Sequence, residues 1–583
     1  MAEDDRGRLH GTRARYAAAM NTPLANARAP SGAVTDGRHG ACLLASLVLL
    51  LALQSCGGGG GGDTAPPALS LTPTTGRVSG DSPVAATCTG GGAVGVLYAN
   101  AEVEPFLARS PTNPQVLLAA WQQDRWSDGG ARALVSAVSA DGGASWTRTL
   151  HPMSRCGGAT AGSSGDFERA TDPWVDVGSD GVMHLMGLAF SGVTFAANSK
   201  SAMLASRSTD GGRTWSLPQT LVLDGATLFN DKNTLTVDPL DPRFVYAVWD
   251  RLDTAGNGPT LLARSTDAGL SWEPAREIYR PPAAAGGTAQ TIGNRIVVLT
   301  GGTQRGLLVN AFTQVDTTAG AARNSVRVQR SADRGLSWTA PVVVAEHRGV
   351  GARDASTGAA IRDGGVIPNI AASPDGTLWV AWQDSRFSGG LRDAIAVSRS
   401  SDGGATWSTP VEASHGGTAP AFTPTLHVRD DGLVGLLYFD LRPDTADTGT
   451  LLAASWLATS RDGLGWADTV VWNPFDMAGA PNARGLFLGD YMGLVSSGNR
   501  FLPLVVLSGT DLNNRNDAYL LPVTPAAASA AAASATTLPV TALSEAEFQA
   551  RRNAFTQRVM EQRLPDWGRR VKLKQPLAPG SRD

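Results

Sequence analysis

Ser208–Trp215 reads STDGGRTW, and the same eight-residue pattern returns four more times in full. The copies are SADGGASW (Ser139–Trp146), STDAGLSW (Ser265–Trp272), SADRGLSW (Ser331–Trp338) and SSDGGATW (Ser400–Trp407). A seventh-letter-short version, SRDGLGW, occupies Ser460–Trp466. The octet has the chemistry of a hairpin turn. The Asp carboxylate accepts turn amides, Gly supplies a permissive backbone, and Ser or Thr closes the motif. The Trp opens the next strand, where it can pack between neighbouring sheets.

The flanks repeat with it. An alternating run precedes each octet, such as AIAVSRS at Ala394–Ser400, and another follows, such as TWSLPQTLVL at Thr214–Leu223. Strand, octet, strand is a hairpin. The marker aspartates (Asp141, Asp210, Asp267, Asp333, Asp402, Asp462) lie 57 to 69 residues apart, a period that signals a repeat architecture with insertions in loops. Each unit also carries an earlier hairpin: Phe106–Trp121, Trp174–Phe190, Thr234–Arg251 and Ile367–Arg386. Four strands per unit is the composition of a propeller blade. A last unit, Tyr491–Gly509 with Asp517–Val523, has neither an octet nor a fourth strand of its own. Ala93–Ala99 (AVGVLYA) is expected to supply that strand, giving seven blades, with six as the alternative.

These octets are Asp-boxes, also called BNR repeats, and residues 93–523 resemble the sialidase superfamily of β-propellers. The expected fold class is therefore all-β, a seven-bladed propeller with Asp-box hairpins plus a short C-terminal helix. The alternation of strands puts the octets at one end of the ring and any active site at the other. At that other end strand two finishes as WQQDRW (Trp121–Trp126), WDR (Trp249–Arg251), WQDSR (Trp382–Arg386) and YFDLR (Tyr438–Arg442). The segments leading into strand one are polar too: Gly165–Pro173, Phe229–Asn233, Gln290–Arg295, Arg362–Pro368 and Phe487–Tyr491. Charge converging on a concave mouth is a binding-site pattern; the alternative is that each Asp and Arg simply pair and latch the loops.

The resemblance implies an arginine cluster that grips a sugar carboxylate, a Tyr nucleophile assisted by a carboxylate, and an Asp acid. Guanidinium forks suit a carboxylate, and a carboxylate can take a phenol proton. Carried onto this chain, Tyr491 is the nucleophile with Tyr438 in reserve, Glu168 its base, and Asp166, Asp172 or Asp124 the acid. Arg125, Arg169, Arg251, Arg386 and Arg442 are the substrate-binding cations, with Asp231, Asn294 and Asp363 beside them. The family's early FRIP-type motif has no clean match; the nearest stretch is EPFLARSP, Glu104–Pro111, with Arg109 before Ser-Pro.

Composition is compatible with a large globular β protein. The chain has 583 residues, 42% hydrophobic and 17% charged, with 68 Gly and 34 Pro and a net charge of −3, so nothing overall points to nucleic acid. Seven histidines show no zinc spacing, and no Walker motif, nucleophile elbow or EF-hand occurs; no metal and no cofactor are expected. The apolar run Ala41–Leu53 after a basic stretch, followed by LQSC, resembles a lipoprotein signal, with Cys56 lipidated and six glycines as a tether. An ordinary signal peptide or an uncleaved anchor is the alternative reading, and Met20 an alternative start. Cys42 leaves with the signal, and Cys88 and Cys156 are left as candidates for one disulfide.

The expected organisation is a signal at 1–55, a tether at 56–92, the propeller at 93–525, an Ala/Ser linker at 526–541, and a helix with a basic tail at 542–583. Ser544 and Glu547 make a capping box, and Phe548, Phe555 and Val559 share the face that docks on the propeller. The functional expectation is an exported, membrane-anchored monomer acting as an exo-glycosidase on sialic-acid-type or other anionic glycans. The alternatives are a non-catalytic glycan- or protein-binding propeller and an envelope assembly factor.

Overall fold

The computed structural model describes residues 76–91, 95–319, 321–525 and 542–563. The run Ala41–Leu53, Cys56 and the tether up to residue 75 lie outside the described residues, as do the 526–541 linker and the basic tail. The described chain is almost entirely antiparallel β-structure. Six successive units each fold as four strands in simple up-and-down order. The third is typical: Leu228–Val237, Val245–Asp253, Thr260–Ser265 and Arg276–Tyr279. A single bridge, Ala131 to Ala170, joins the first two units into one sheet.

The first strand of each unit is the innermost. In chain order these are β1 (Val103–Arg109), β2 (Arg169–Val177), β3 (Leu228–Val237), β4 (Gly287–Val298), β5 (Asn369–Ala372), β6 (Ala421–Val428) and β7 (Gly493–Ser497). Each contacts the next, and β7 also contacts β1. Apolar residues from facing sheets fill the spaces between units. The fully buried Trp121, Trp249 and Trp382 occupy the same place in strand two of their units.

The octets form the turns their chemistry suggests. In the second unit Thr214 donates through N–H and hydroxyl to Asp210 (2.9 and 2.6 Å), the Gly212 amide donates to Ser208 Oγ (2.9 Å), and Ser208 Oγ donates back to Asp210 (2.8 Å). The Trp215 indole closes the turn on the Gly212 carbonyl (3.2 Å) and meets His151 of the preceding unit edge-on. The short sixth copy keeps Asp462 on the Leu464 and Gly465 amides but has no hydroxyl donor four residues on.

The last unit departs from expectation. It has three strands, Gly493–Ser497, Arg500–Ser508 and Asn516–Leu520, and its outer edge is met by Gly76–Val78, not by Ala93–Ala99. The Leu520 amide donates to the Gly76 carbonyl and the Val78 amide to the Ala518 carbonyl, each at 2.8 Å. Leu97–Tyr98 instead pairs with Trp126 and Arg125 of the first unit. Residues 76–91, expected within the tether, are packed: Val84 is buried, Ser79 donates to Asp517 at 2.8 Å, and Cys88 is disulfide-bonded to Cys156.

Helix α1 (Glu545–Arg563) begins on the Ser544–Glu547 capping box and buries Phe548, Phe555 and Val559. Phe555 and Val559 pack with Ile292, Val315 and Val366, at the end of the molecule opposite the octets.

Candidate functional site

Inner strands deliver the site through one repeated device. β1, β2, β3, β4 and β6 each carry a bulge near their start, where the register slips. The residue at each bulge is left-handed: Glu104 (φ 55°), Asp172 (φ 53°), Lys232 (φ 48°), Gly293 (φ 71°) and Thr423 (φ 52°). A bulge re-aims one side chain out of the strand's alternation, and non-glycine residues in this region are strained positions that cluster at functional sites. Tyr491 stands at the corresponding distance ahead of β7. At these six equivalent positions the residue types differ, unlike the octets.

Three of those residues meet in one buried charge cluster. Lys232 Nζ lies 2.6 Å from Asp490 and 3.4 Å from both Glu104 and Asp172. Arg362 holds the same Asp490 oxygen at 3.1 Å. Burial alone would strip the Lys232 proton, but the three carboxylates overrule it and hold its pKa well above the usual lysine range. Burial also pushes Asp490 up, yet Arg362 and Lys232 more than reverse this and keep it ionised. Glu104 goes the other way: burial and the neighbouring Asp172 charge raise its pKa well above the ordinary glutamate range. Asp172 stays low because Lys232, the Thr171 hydroxyl and the Glu104 carboxyl outweigh its burial. Two neighbouring carboxyl groups whose surroundings push their pKa values in opposite directions form the pattern of an acid/base pair.

A cavity of about 40 Å³, space for a very few waters, opens on this cluster. Its wall includes Arg125, Asp172, Lys232, Arg362 and Asp490; Val559, Gln562 and Arg563 of α1 form its roof. Arg125 stands out on this wall. It is buried, donates to Gln122 at 2.7 Å and lies over the Phe487 ring at 5.0 Å, and among the described residues no carboxylate is within ion-pair distance of it. Burial and the adjacent Arg362 lower its pKa to about 10.

The other expected residues do not converge there. Arg386 is closed on Asp384 (2.8 Å), Arg251 on Asp224 (3.0 Å), Arg169 on Asp128 (2.6 Å), and Arg442 on Asp440 and Asp468. Asp384 and Asp440 end their strands and accept from the amides of Arg386 (2.9 Å) and Arg442 (3.2 Å) in the turn that follows, which brings each arginine back onto its own aspartate. Asp124 is tied to Arg132 (3.1 Å) and Ser82. Asp166 is held by Arg155 (2.7 Å), and Glu168 by the Gly192 amide; neither meets Tyr491. Tyr438 shares its hydroxyl with Asp468 and Arg442. Asn294 accepts from Thr260 and Asn310, and Asp363 from the Ala352 and Gly365 amides. Arg109 lies at the far end of β1, 4.0 Å from Asp430.

Of the expected catalytic set, Asp172 and Tyr491 reach the cluster. Tyr491 is packed between Trp174 and Phe106, and its hydroxyl donates to the Pro173 carbonyl at 3.1 Å. Burial and the Glu104, Asp172 and Asp490 carboxylates drive its pKa well up, so this phenol is held as a donor and not activated as a nucleophile. Glu104, Lys232, Arg362 and Asp490 escaped the sequence reading although all lie in stretches it quoted. Their signal is positional: Glu104 and Lys232 sit at the bulges of β1 and β3, Glu104 directly before Pro105 as Asp172 and Thr423 stand before Pro173 and Pro424, while Arg362 and Asp490 lie in the segments ahead of β5 and β7. Among the described residues no group of three His, Cys, Asp or Glu is arranged to hold a metal ion.

No protein-family model matches the chain, and no curated protein matches it either. Several solved structures share part of its architecture. A PL25 ulvan lyase is similar at 12% identity over 73% of this chain and 95% of its own, with a TM-score of 0.46. An α-L-arabinanase from Penicillium chrysogenum is similar at 14% identity, over 59% and 92%, with a TM-score of 0.38. The intramolecular trans-sialidase from Ruminococcus gnavus is similar at 16% identity, over 73% and 94%, with a TM-score of 0.34.

Proposed function

We propose that this chain is a seven-bladed Asp-box propeller whose mouth, opposite the octets, binds and hydrolyses an anionic glycan. The cyclic contact of the seven inner strands supports the blade count. The observation that carries the functional reading is Arg125, a buried arginine on the cavity wall with no ion-pair partner among the described residues, near Glu104, whose pKa is raised, and Asp172, whose pKa is lowered. A substrate carboxylate would complete Arg125 bidentately. Glu104 is the general acid toward the leaving glycosidic oxygen, and Asp172 the base or stabiliser of developing positive charge. Tyr491 forms the apolar wall behind them. Export with a lipid on Cys56 belongs to the same proposal, and the mass of the N-terminal peptide from membrane-extracted protein tests it.

The test is hydrolysis of fluorogenic sialosides and glucuronides by the full chain beside Glu104→Gln and Arg125→Met. Loss of Glu104 as acid lowers kcat by about 100-fold or more, while Arg125→Met acts mainly through KM. Turnover unaffected by both changes, in folded variants, would overturn the assignment. The closed Asp–Arg latches around the rim favour a second reading, a non-catalytic glycan-binding propeller. Arg125-dependent glycan binding without turnover would select it.

A further inference from the structure

The roof of the mouth is held by a contact that the ring has no reason of its own to build. Asp231 on β3 and Asp250 on the next strand are direct cross-strand partners. Both are buried, and like charges placed opposite each other on paired strands repel. Nothing else on these two strands neutralises Asp250. The compensating group comes from the end of α1. Arg563 Nε donates to Asp231 at 2.8 Å, one terminal nitrogen pairs with Asp250, and the other donates to Gln290 Oε1. Its side chain is 2% exposed. Two guanidinium nitrogens thus hydrogen-bond to the ring and the third is ion-paired with it, and every partner belongs to the ring strands, none to the helix.

We propose that Asp231, Asp250 and Gln290 form a guanidinium subsite of the mouth, filled in cis by Arg563, and that a guanidinium-bearing ligand entering the mouth displaces it. The proposal rests on the reading of the mouth as a ligand site. Partners that each face a different nitrogen of one fork suit a guanidinium; a compact ammonium reaches fewer of them at once. The same cavity is roofed by Val559, Gln562 and Arg563, so a ligand that takes the subsite also lifts the end of α1. The helix is also seated by Arg552 on Glu346 at 2.5 Å, by Phe555 near its middle, and at its end by Gln562 donating to the Arg484 carbonyl at 2.9 Å; the first two can keep it tethered while the end lifts.

The test uses the full chain carrying Arg563→Gln, which vacates the subsite while keeping side-chain length. Thermal unfolding is followed with millimolar methylguanidinium or methylammonium as probes. Methylguanidinium raises the Tm of Arg563→Gln saturably, methylammonium binds about tenfold more weakly, and wild type is unmoved at the same concentrations. Adding Asp231→Asn abolishes the response. A folded Arg563→Gln that takes no methylguanidinium, or a wild type that responds equally, overturns the proposal. Should Arg563→Gln fail to fold, hydrogen exchange in the wild-type chain decides: high methylguanidinium speeds exchange of the α1 amides and methylammonium does not, and equal exchange with both sinks the idea. Arg125-dependent glycan binding is measured separately on the wild-type chain, so its absence counts against the glycan reading and not against this subsite.

Discussion

The two ends of the sheets are built on opposite plans. At the octet end each turn satisfies itself within eight residues: Ser208, Asp210, Gly212 and Thr214 bond to one another, and the same bonds recur around Asp141, Asp267, Asp333 and Asp402. At the mouth the equivalent positions hold Glu104, Asp172, Lys232, Gly293, Thr423 and Tyr491, and the charged ones among them find their ion-pair partners in other units. Lys232 reaches Asp490 across 258 residues of sequence, and Asp231 reaches Arg563 across 332. Local satisfaction lets a motif be copied without change. Dependence on distant partners allows each copy to become different, and chemistry requires different groups in one place.

The sharpest way to break this contrast is Lys232→Met. It leaves the Glu104, Asp172 and Asp490 carboxylates buried without their shared cation, and a loss of about 3–5 kcal/mol is expected in denaturant unfolding. A loss below about 1 kcal/mol would mean the cluster behaves like a surface. Coupling follows the same division. Lys232→Met and Asp490→Asn should depart from additivity by about 0.5–3 kcal/mol in a double-mutant cycle. Ser208→Ala removes one turn hydroxyl and costs about 1 kcal/mol; combined with Ser331→Ala, two units away, it should add within a few tenths of a kcal/mol.

The smallest effect is one of sign. Hydrogen bonds from Thr214, side chain first, lower Asp210 to about 2. The unfolded chain therefore takes up this proton first, and the turn's contribution, complete above about pH 4, is lost as pH falls toward 2. Glu104, raised by burial, is opposite: its contribution is complete below the ordinary glutamate range and is lost as pH rises through its elevated folded value. Asp210→Asn should flatten the acid limb of a Tm–pH curve and Glu104→Gln the rising-pH limb. The same limb flattened by both would remove the distinction.

The same division explains what was legible in the sequence. The octet is a local motif, so turns, strands and the polarity of the sheets could be read from Ser208–Trp215 outward. The capping box at Ser544–Glu547 was legible for the same reason. The mouth was not, because bulges at Glu104, Asp172 and Lys232 break the period-2 pattern that tells which way a side chain points. The reading chose Arg386 and Arg442 at the strand ends, where their i−2 aspartates close them. Within Phe229–Asn233 and Arg362–Pro368 nothing in the linear stretch ranks Lys232 above Asp231 or Arg362 above Asp363. Ala93–Ala99 alternates well, whereas Gly76–Val78 is too short to show any period, yet the shorter segment makes the bonds.

That edge strand sets an order of events for the chain as it is made. Gly76 and Val78 lie some 440 residues before the strand they bond, as do Arg77 and Asp517. A ribosome delivers one partner long before the other, so the earlier segment must wait, unzipped, until Leu520 has emerged. Six units can assemble from neighbours in sequence; the seventh is finished only by the oldest part of the polypeptide. Pairings of such long range are the slow ones to form, and a product cut short before Asn516 would carry six complete units with the starting segment left nothing to fasten.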